Sequence, residues 1–141
     1  MITTDVFIAG AGIAGSIAAL SYAKSARNVI VADPISYEES SKFDYRTTAY
    51  LQPSKLFLEL IGVWDCVKDS AMPLEIMKII DASGMGDTGK IKSEKNFNSS
   101  EISDLPFGWN IKNSLMRKTL QDLIEHQSNC KLITGIRAVD F

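Results

Sequence analysis

Histidine and cysteine are almost missing from this sequence, with one His and two Cys among 141 residues. Cys66 and Cys130 are far apart, and neither has a second Cys or His nearby at metal-ligand spacing. That excludes a disulfide framework and a zinc site as organising principles, and reduced thiols in a cytoplasmic setting are the expectation. His126 stands alone, off the apolar stripe of its segment, without the convergent partners that a base or a metal ligand needs. Positive charge is also short: 15 Lys and Arg against 17 Asp and Glu leave a net charge of -2. No electrostatic footprint for nucleic acid or an anionic membrane follows from that balance. The modest cluster of Lys90, Lys92 and Lys95 reads as a solvated hairpin.

A long apolar run is lacking too. The nearest approach, residues 5–20, is broken by three glycines and followed by Tyr22, Lys24, Ser25 and Arg27, whereas a spanning helix needs roughly 20 predominantly apolar residues. Its one early charge, Asp5, has the wrong sign for the leading region of a secretory signal, so no export signal is expected. What remains is a composition close to the globular average, 45% hydrophobic and 23% charged, in a chain long enough for one domain with a core.

The glycines of "DVFIAGAGIAGSIAAL" mark a change of period. Val6, Phe7, Ile8 and Ala9 form a short continuous apolar stretch, the pattern of a central parallel strand buried on both faces. After the turn, Ile13, Ile17, Ala18 and Leu20 continue at helical spacing. Gly10, Ala11, Gly12, Ile13, Ala14 and Gly15 would make the connection. In such a turn the first glycine permits the bend, the second lets backbone approach a pyrophosphate, and the third lets helix and strand pack closely. The helix N-terminus adds unpaired N–H groups and positive potential. A second apolar strand at residues 29–32 ends in Asp33, 18 residues beyond Gly15, where an acid can accept hydrogen bonds from adenosine ribose hydroxyls. Three spaced glycines alone are a weak signal; the strand, helix, strand and acid around them raise it. The competing reading is a glycine-tolerant buried turn with Asp33 as a solvated strand end. NAD and FAD both use such a βαβ unit.

The next stretch, "FDYRTTAYLQPSKLFLELIGVWDC", predicts a helix with Pro53 in its first turn, an apolar stripe of Leu56, Phe57, Leu60, Ile61 and Trp64, and Gly62 as C-terminal cap. The D-x-R-x-x-A pattern of Asp44, Arg46 and Ala49, followed by a helix ending L-x-x-x-G-V-W-D, resembles the FAD-dependent aromatic hydroxylases. The ubiquinone-biosynthesis hydroxylases, relatives of p-hydroxybenzoate hydroxylase, are the most similar branch. "AMPLEIMKIID" resembles the strand that enters their substrate domain, and "FGWNIKNSLMRKTLQDLIE" their return to the cofactor domain. The resemblance spans nearly all of this chain.

It implies that Arg46 contacts the flavin nucleotide; from the residues alone, a surface arginine paired with Asp44 is the rival reading. It implies a second contact from Asn113, which by position is also a good N-cap for the helix carrying Met116, Leu120, Leu123 and Ile124. Two strands, residues 74–81 and 89–95, are expected around the turn-rich "ASGMGDTG", with the polar "SEKNFNSSEISD" as loop.

The expected fold is therefore α/β: a Rossmann-like, FAD-binding βαβ unit with a parallel sheet, interrupted by a small β excursion of the substrate domain. Residues 1–71 and 113–141 would belong to the FAD-binding domain and residues 72–112 to the start of the substrate domain. By resemblance, the complete enzyme takes electrons from NAD(P)H into FAD and uses oxygen to hydroxylate an aromatic ring. Its substrate would be a small aromatic or a prenylated phenol such as a ubiquinone precursor, with peripheral membrane or biosynthetic-complex association. The flavin supplies the difficult chemistry, so no catalytic side chain is assigned. The family's second glycine-aspartate motif has no counterpart in these residues, so the chain alone is expected to be inactive. Asp33 stands where flavoproteins commonly carry glutamate, and Tyr50 where the family often has leucine. The alternatives are another FAD- or NAD(P)-linked oxidoreductase sharing only the dinucleotide fold, or a non-catalytic nucleotide-binding fragment.

Overall fold

The computed structural model describes residues 3–36, 39, 44–82 and 91–139. Strand β1 (Val6–Ala9) leads into helix α1 (Ile13–Lys24) and strand β2 (Val29–Asp33). β1 and β2 pair in parallel, Val6 opposite Val29 through Ala9 opposite Ala32. This is the βαβ unit expected from the change of period, but among the described residues β1 lies at the edge of the sheet and exposes Phe7, rather than being central and buried on both faces. The last strand, β8 (Cys130–Thr134), joins the other edge of β2, again in parallel, giving the order β1-β2-β8. With both edges paired, β2 buries Val29, Val31 and Ala32, and an unbroken apolar run is what such a position requires.

Helix α1 packs against helix α4 (Asn113–Glu125) over this sheet. α1 presents Ala19, Leu20 and Ala23, and α4 presents Met116, Leu120 and Ile124, spaced four residues apart and fully buried. The small side chains of α1 allow close approach while the large ones of α4 fill the space, so apolar area leaves water without voids.

A second sheet carries the other elements. Strand β3 (Thr47–Leu51) runs antiparallel to β7 (Gly108–Lys112), which also pairs with β4 (Met72–Leu74). Between them lie helix α2 (Gln52–Leu60) and the short α3 (Trp64–Val67). Pro53 sits in the first turn of α2, as expected. The helix ends in a Schellman motif, Gly62 at φ +80° donating to Glu59 O and Val63 donating to Leu58 O at 2.8 Å. Trp64 meets Trp109 edge to face at 5.2 Å, locking α3 onto β7.

Strands β5 (Ile76–Asp81) and β6 (Ser93–Asn98) form a two-stranded antiparallel ribbon. Here the expectation is corrected in part: residues 93–95, read both as the end of a strand and as the start of a polar loop, are strand, and the strand continues over residues 96–98, read as loop. The ribbon is exposed on both faces, so the burial that writes a period of two into a sequence is missing, and β6 is held by its pairing with the apolar β5. Of the strand expected over residues 89–95, positions 89 and 90 lie outside the described residues. Among the described residues no helix is long and apolar enough to cross a membrane.

Candidate dinucleotide-binding site

The turn after β1 is built by its glycines. Gly10 has φ +106°, a conformation L-residues rarely adopt, and its N–H donates to Ala32 O at 2.7 Å, tying the turn to β2. A β-carbon on Gly15 would lie 2.0 Å from the Gly10 carbonyl oxygen, so helix and strand could not approach as they do. Gly12 differs: its φ is -65°, it caps α1, and a β-carbon there would meet nothing within 4 Å. The space in front of this helix is open. Ser16 N–H is paired with Gly12 O at 2.9 Å, and the amides of Ile13, Ala14 and Gly15 precede it in the first turn, where a helix leaves its donors without intrahelical partners. The first turn carries no acidic side chain of its own. Open space lined by oriented N–H groups fits a pyrophosphate.

Asp33, at the end of β2, closes one side. Its Oδ2 accepts the Ala11 N–H at 2.6 Å and its Oδ1 accepts the Ile35 N–H at 2.9 Å. A carboxylate has roughly four lone-pair sites, so capacity remains for two ribose hydroxyls. Asp33, Ala11 and Ser16 line a cavity of about 340 Å³ together with Arg117, Gln121 and Thr134.

Arg117 is the residue that sequence reasoning missed. Its Nε is buried and has no hydrogen-bond partner among the described residues, although the side chain lines the cavity that holds Asp33. A buried cationic donor without an acceptor suits a site built for an anionic ligand. On an amphipathic helix, an arginine beside a buried Met116 ordinarily reads as a solvated flank. The signal that was available is its position one turn beyond Asn113, on the same helix face.

Arg46 and Asn113 come together where β3 starts and α4 begins. The Asn113 N–H donates to Arg46 O at 3.0 Å. Arg46 forks onto Asp44, Nε to Oδ1 at 2.8 Å and Nη2 to Oδ2 at 3.0 Å. The Arg46 hydrogen bonds hold the Asp44 carboxyl down to about 2, with a further contribution from the charge of Arg117.

The N-cap expected of Asn113 is overturned. Lys112 holds that position, Asn113 is the first helical residue, and no side-chain cap bond forms. Instead Asn113 is buried and its Oδ1 accepts the Thr48 hydroxyl at 2.7 Å. With the backbone N–H of Asn113 already paired across to β3, its side chain is drawn the same way.

Tyr50 lies apart from this site. Its hydroxyl is buried beneath α1 and α2 without a partner among the described residues, and burial pushes the phenol up to about 12.

No family model matches the sequence, and no curated protein does. Solved structures do. The chain is similar to a flavoprotein/dehydrogenase from Cytophaga hutchinsonii, with TM-score 0.71 and 22% identity over 97% of this chain and 31% of that one. It is similar to the p-nitrophenol 4-monooxygenase of Pseudomonas putida, with TM-score 0.66 and 16% identity over 92% of this chain and 30% of that one. A flavin-dependent halogenase gives TM-score 0.70 and 17% identity over 99% of this chain and 24% of that one. The chain therefore spans a third or less of the length of these solved proteins. Its fold, α/β with the parallel sheet β1-β2-β8, is the fold of the matching part of these proteins.

Proposed function

We propose that this chain is the FAD-binding part of a flavin-dependent monooxygenase acting on an aromatic ring. One observation carries the reading: the open space at Gly12, in front of the bare N-terminus of α1, adjoins both an acid suited to ribose and a buried, unpaired arginine donor. Gly12 and the first amides of α1 would hold the pyrophosphate, Asp33 the ribose, and Arg117, Arg46 and Asn113 the remaining polar atoms of the dinucleotide. When bound, FAD would supply the redox chemistry, and these residues would bind and orient it. The fold shared with a p-nitrophenol 4-monooxygenase and a 2-methyl-3-hydroxypyridine-5-carboxylic acid oxygenase supports the aromatic substrate class. The finer reading, a ubiquinone-precursor hydroxylase reduced by NAD(P)H, rests on the motifs of Asp44, Arg46 and the G-V-W-D helix end. In the same reading residues 1–71 and 113–141 serve the nucleotide and residues 72–112 open the substrate domain.

The test is titration of the chain with FAD, ADP and NAD separately. FAD should bind most tightly, with ADP retaining part of the affinity. Preference for NAD would move the chain to the nicotinamide-linked oxidoreductases, and ADP binding equal to FAD would leave a nucleotide-binding fragment without flavin recognition.

A further inference from the structure

Asp44 combines features that a surface ion pair does not have. Its side chain is only 4% exposed, while that of its partner Arg46 is 75% exposed. The carboxylate is covered while the guanidinium stands in solvent. The carboxylate engages Nε and one hydrogen of Nη2, and it also accepts the backbone N–H of Arg46 at 3.2 Å. A guanidinium carries five N–H donors in a rigid plane, so three stay directed away from Asp44. Arg46 can then be gripped from below and donate outward at once. The backbone of the same residue is pinned by Asn113 N–H on its carbonyl. The charge of Arg117, on the cavity wall, acts on the same carboxylate.

We infer that Asp44 is a positioning residue, a buried anchor that holds the Arg46 guanidinium with its three remaining donors turned toward the phosphate or ribityl oxygens of a dinucleotide. This rests on the FAD reading above. The pair is not a competitor that the ligand must displace: the donors it uses and the donors it leaves free lie on different edges of the guanidinium plane. Pre-ordering a long, exposed side chain removes its own share of the entropy loss that would otherwise accompany binding.

The experiment is a double-mutant cycle on FAD affinity with Asp44→Asn, Arg46→Met and the double variant, with thermal midpoints recorded for each. Asp44→Asn should weaken FAD roughly tenfold, the scale of one charge-assisted hydrogen bond, and should add nothing in the Arg46→Met background. FAD affinity unchanged or raised by Asp44→Asn would overturn the inference, because the carboxylate would then be idle or competing. An equal loss in both backgrounds would overturn it too, because Asp44 would act through the fold rather than through Arg46. A second readout needs no ligand: the Arg46 Nε–H NMR resonance should exchange slowly in the parent and rapidly in Asp44→Asn. Rapid exchange in the parent sinks the anchor even if FAD binds, whereas slow exchange with no FAD binding would preserve the anchor and refute the cofactor reading.

Discussion

The carboxylate of Asp33 accepts the backbone N–H of Ala11 at 2.6 Å, making the acid at the end of β2 and the glycine turn after β1 one hydrogen-bonded unit. The expected role of Asp33 was toward ribose alone. The structure shows it holding the turn after β1.

Asp33→Ala should consequently do two things. FAD and ADP should weaken together, by on the order of 1.5 to 3 kcal/mol for a charged hydrogen bond. Stability should also fall, because the Ala11 and Ile35 amides lose their acceptor. Calorimetric titration with both ligands and a thermal melt check this; a variant that binds both as tightly as the parent would leave Asp33 as a clamp only.

Gly12→Val and Gly15→Val should separate binding from folding. A β-carbon at Gly12 meets nothing within 4 Å, so Gly12→Val should keep a near-parental melting temperature and lose dinucleotide binding. A β-carbon at Gly15 lies 2.0 Å from the Gly10 carbonyl oxygen, so Gly15→Val should unfold or strongly destabilise the chain. Parental FAD affinity in a folded Gly12→Val protein would remove the assigned pyrophosphate position.

Arg117→Leu should weaken FAD about tenfold or more, the loss of a charge-assisted contact, while leaving stability level or slightly raised. The second part is the discriminating one. Removing a structurally paired arginine would lower stability, whereas removing a buried Nε with no partner relieves an unmet polar group. A marked drop in melting temperature with unchanged FAD affinity would make Arg117 a packing residue.

Tyr50→Phe should stabilise the chain by about 1 kcal/mol, the lower end of the penalty for a buried unsatisfied polar group. It should also change the alkaline limb. The folded phenol ionises near 12 and an unfolded one near 10, so between these values the folded state keeps a proton that the unfolded state has released. Below pH 10 ionisation adds no cost, and from pH 10 towards 12 the folded parent loses stability relative to Tyr50→Phe as the unfolded phenol releases a proton that the folded one keeps. Denaturant unfolding of parent and Tyr50→Phe from pH 8 to the alkaline limit of refolding checks both statements, and identical slopes above pH 10 would contradict them.

The sequence by itself determined the elements whose signals are local. A continuous apolar stretch and three glycines at fixed spacing specify β1, the turn and the start of α1, because each signal reflects backbone preferences within a few residues, whereas α1 is apolar on all sides and its buried face, Ser16, Ala19, Leu20 and Ala23, is set by packing. Pro53 and Gly62 likewise bounded α2 without reference to anything distant. Only the tertiary structure decided the rest. β6 runs on past Lys95 to Asn98 because β5 lies alongside it, not because of the polar residues there. Asn113 turns to Thr48 rather than capping its helix because β3 and α4 meet at that corner. Asp33 clamps Ala11, and Arg117 joins Asp33 at one cavity 84 positions away in sequence, because parallel pairing brings the ends of β1, β2 and β8 together beneath α4. Side-chain roles of that kind depend on which groups meet across the fold and which stay unpaired, and neither is written in the period of any one segment.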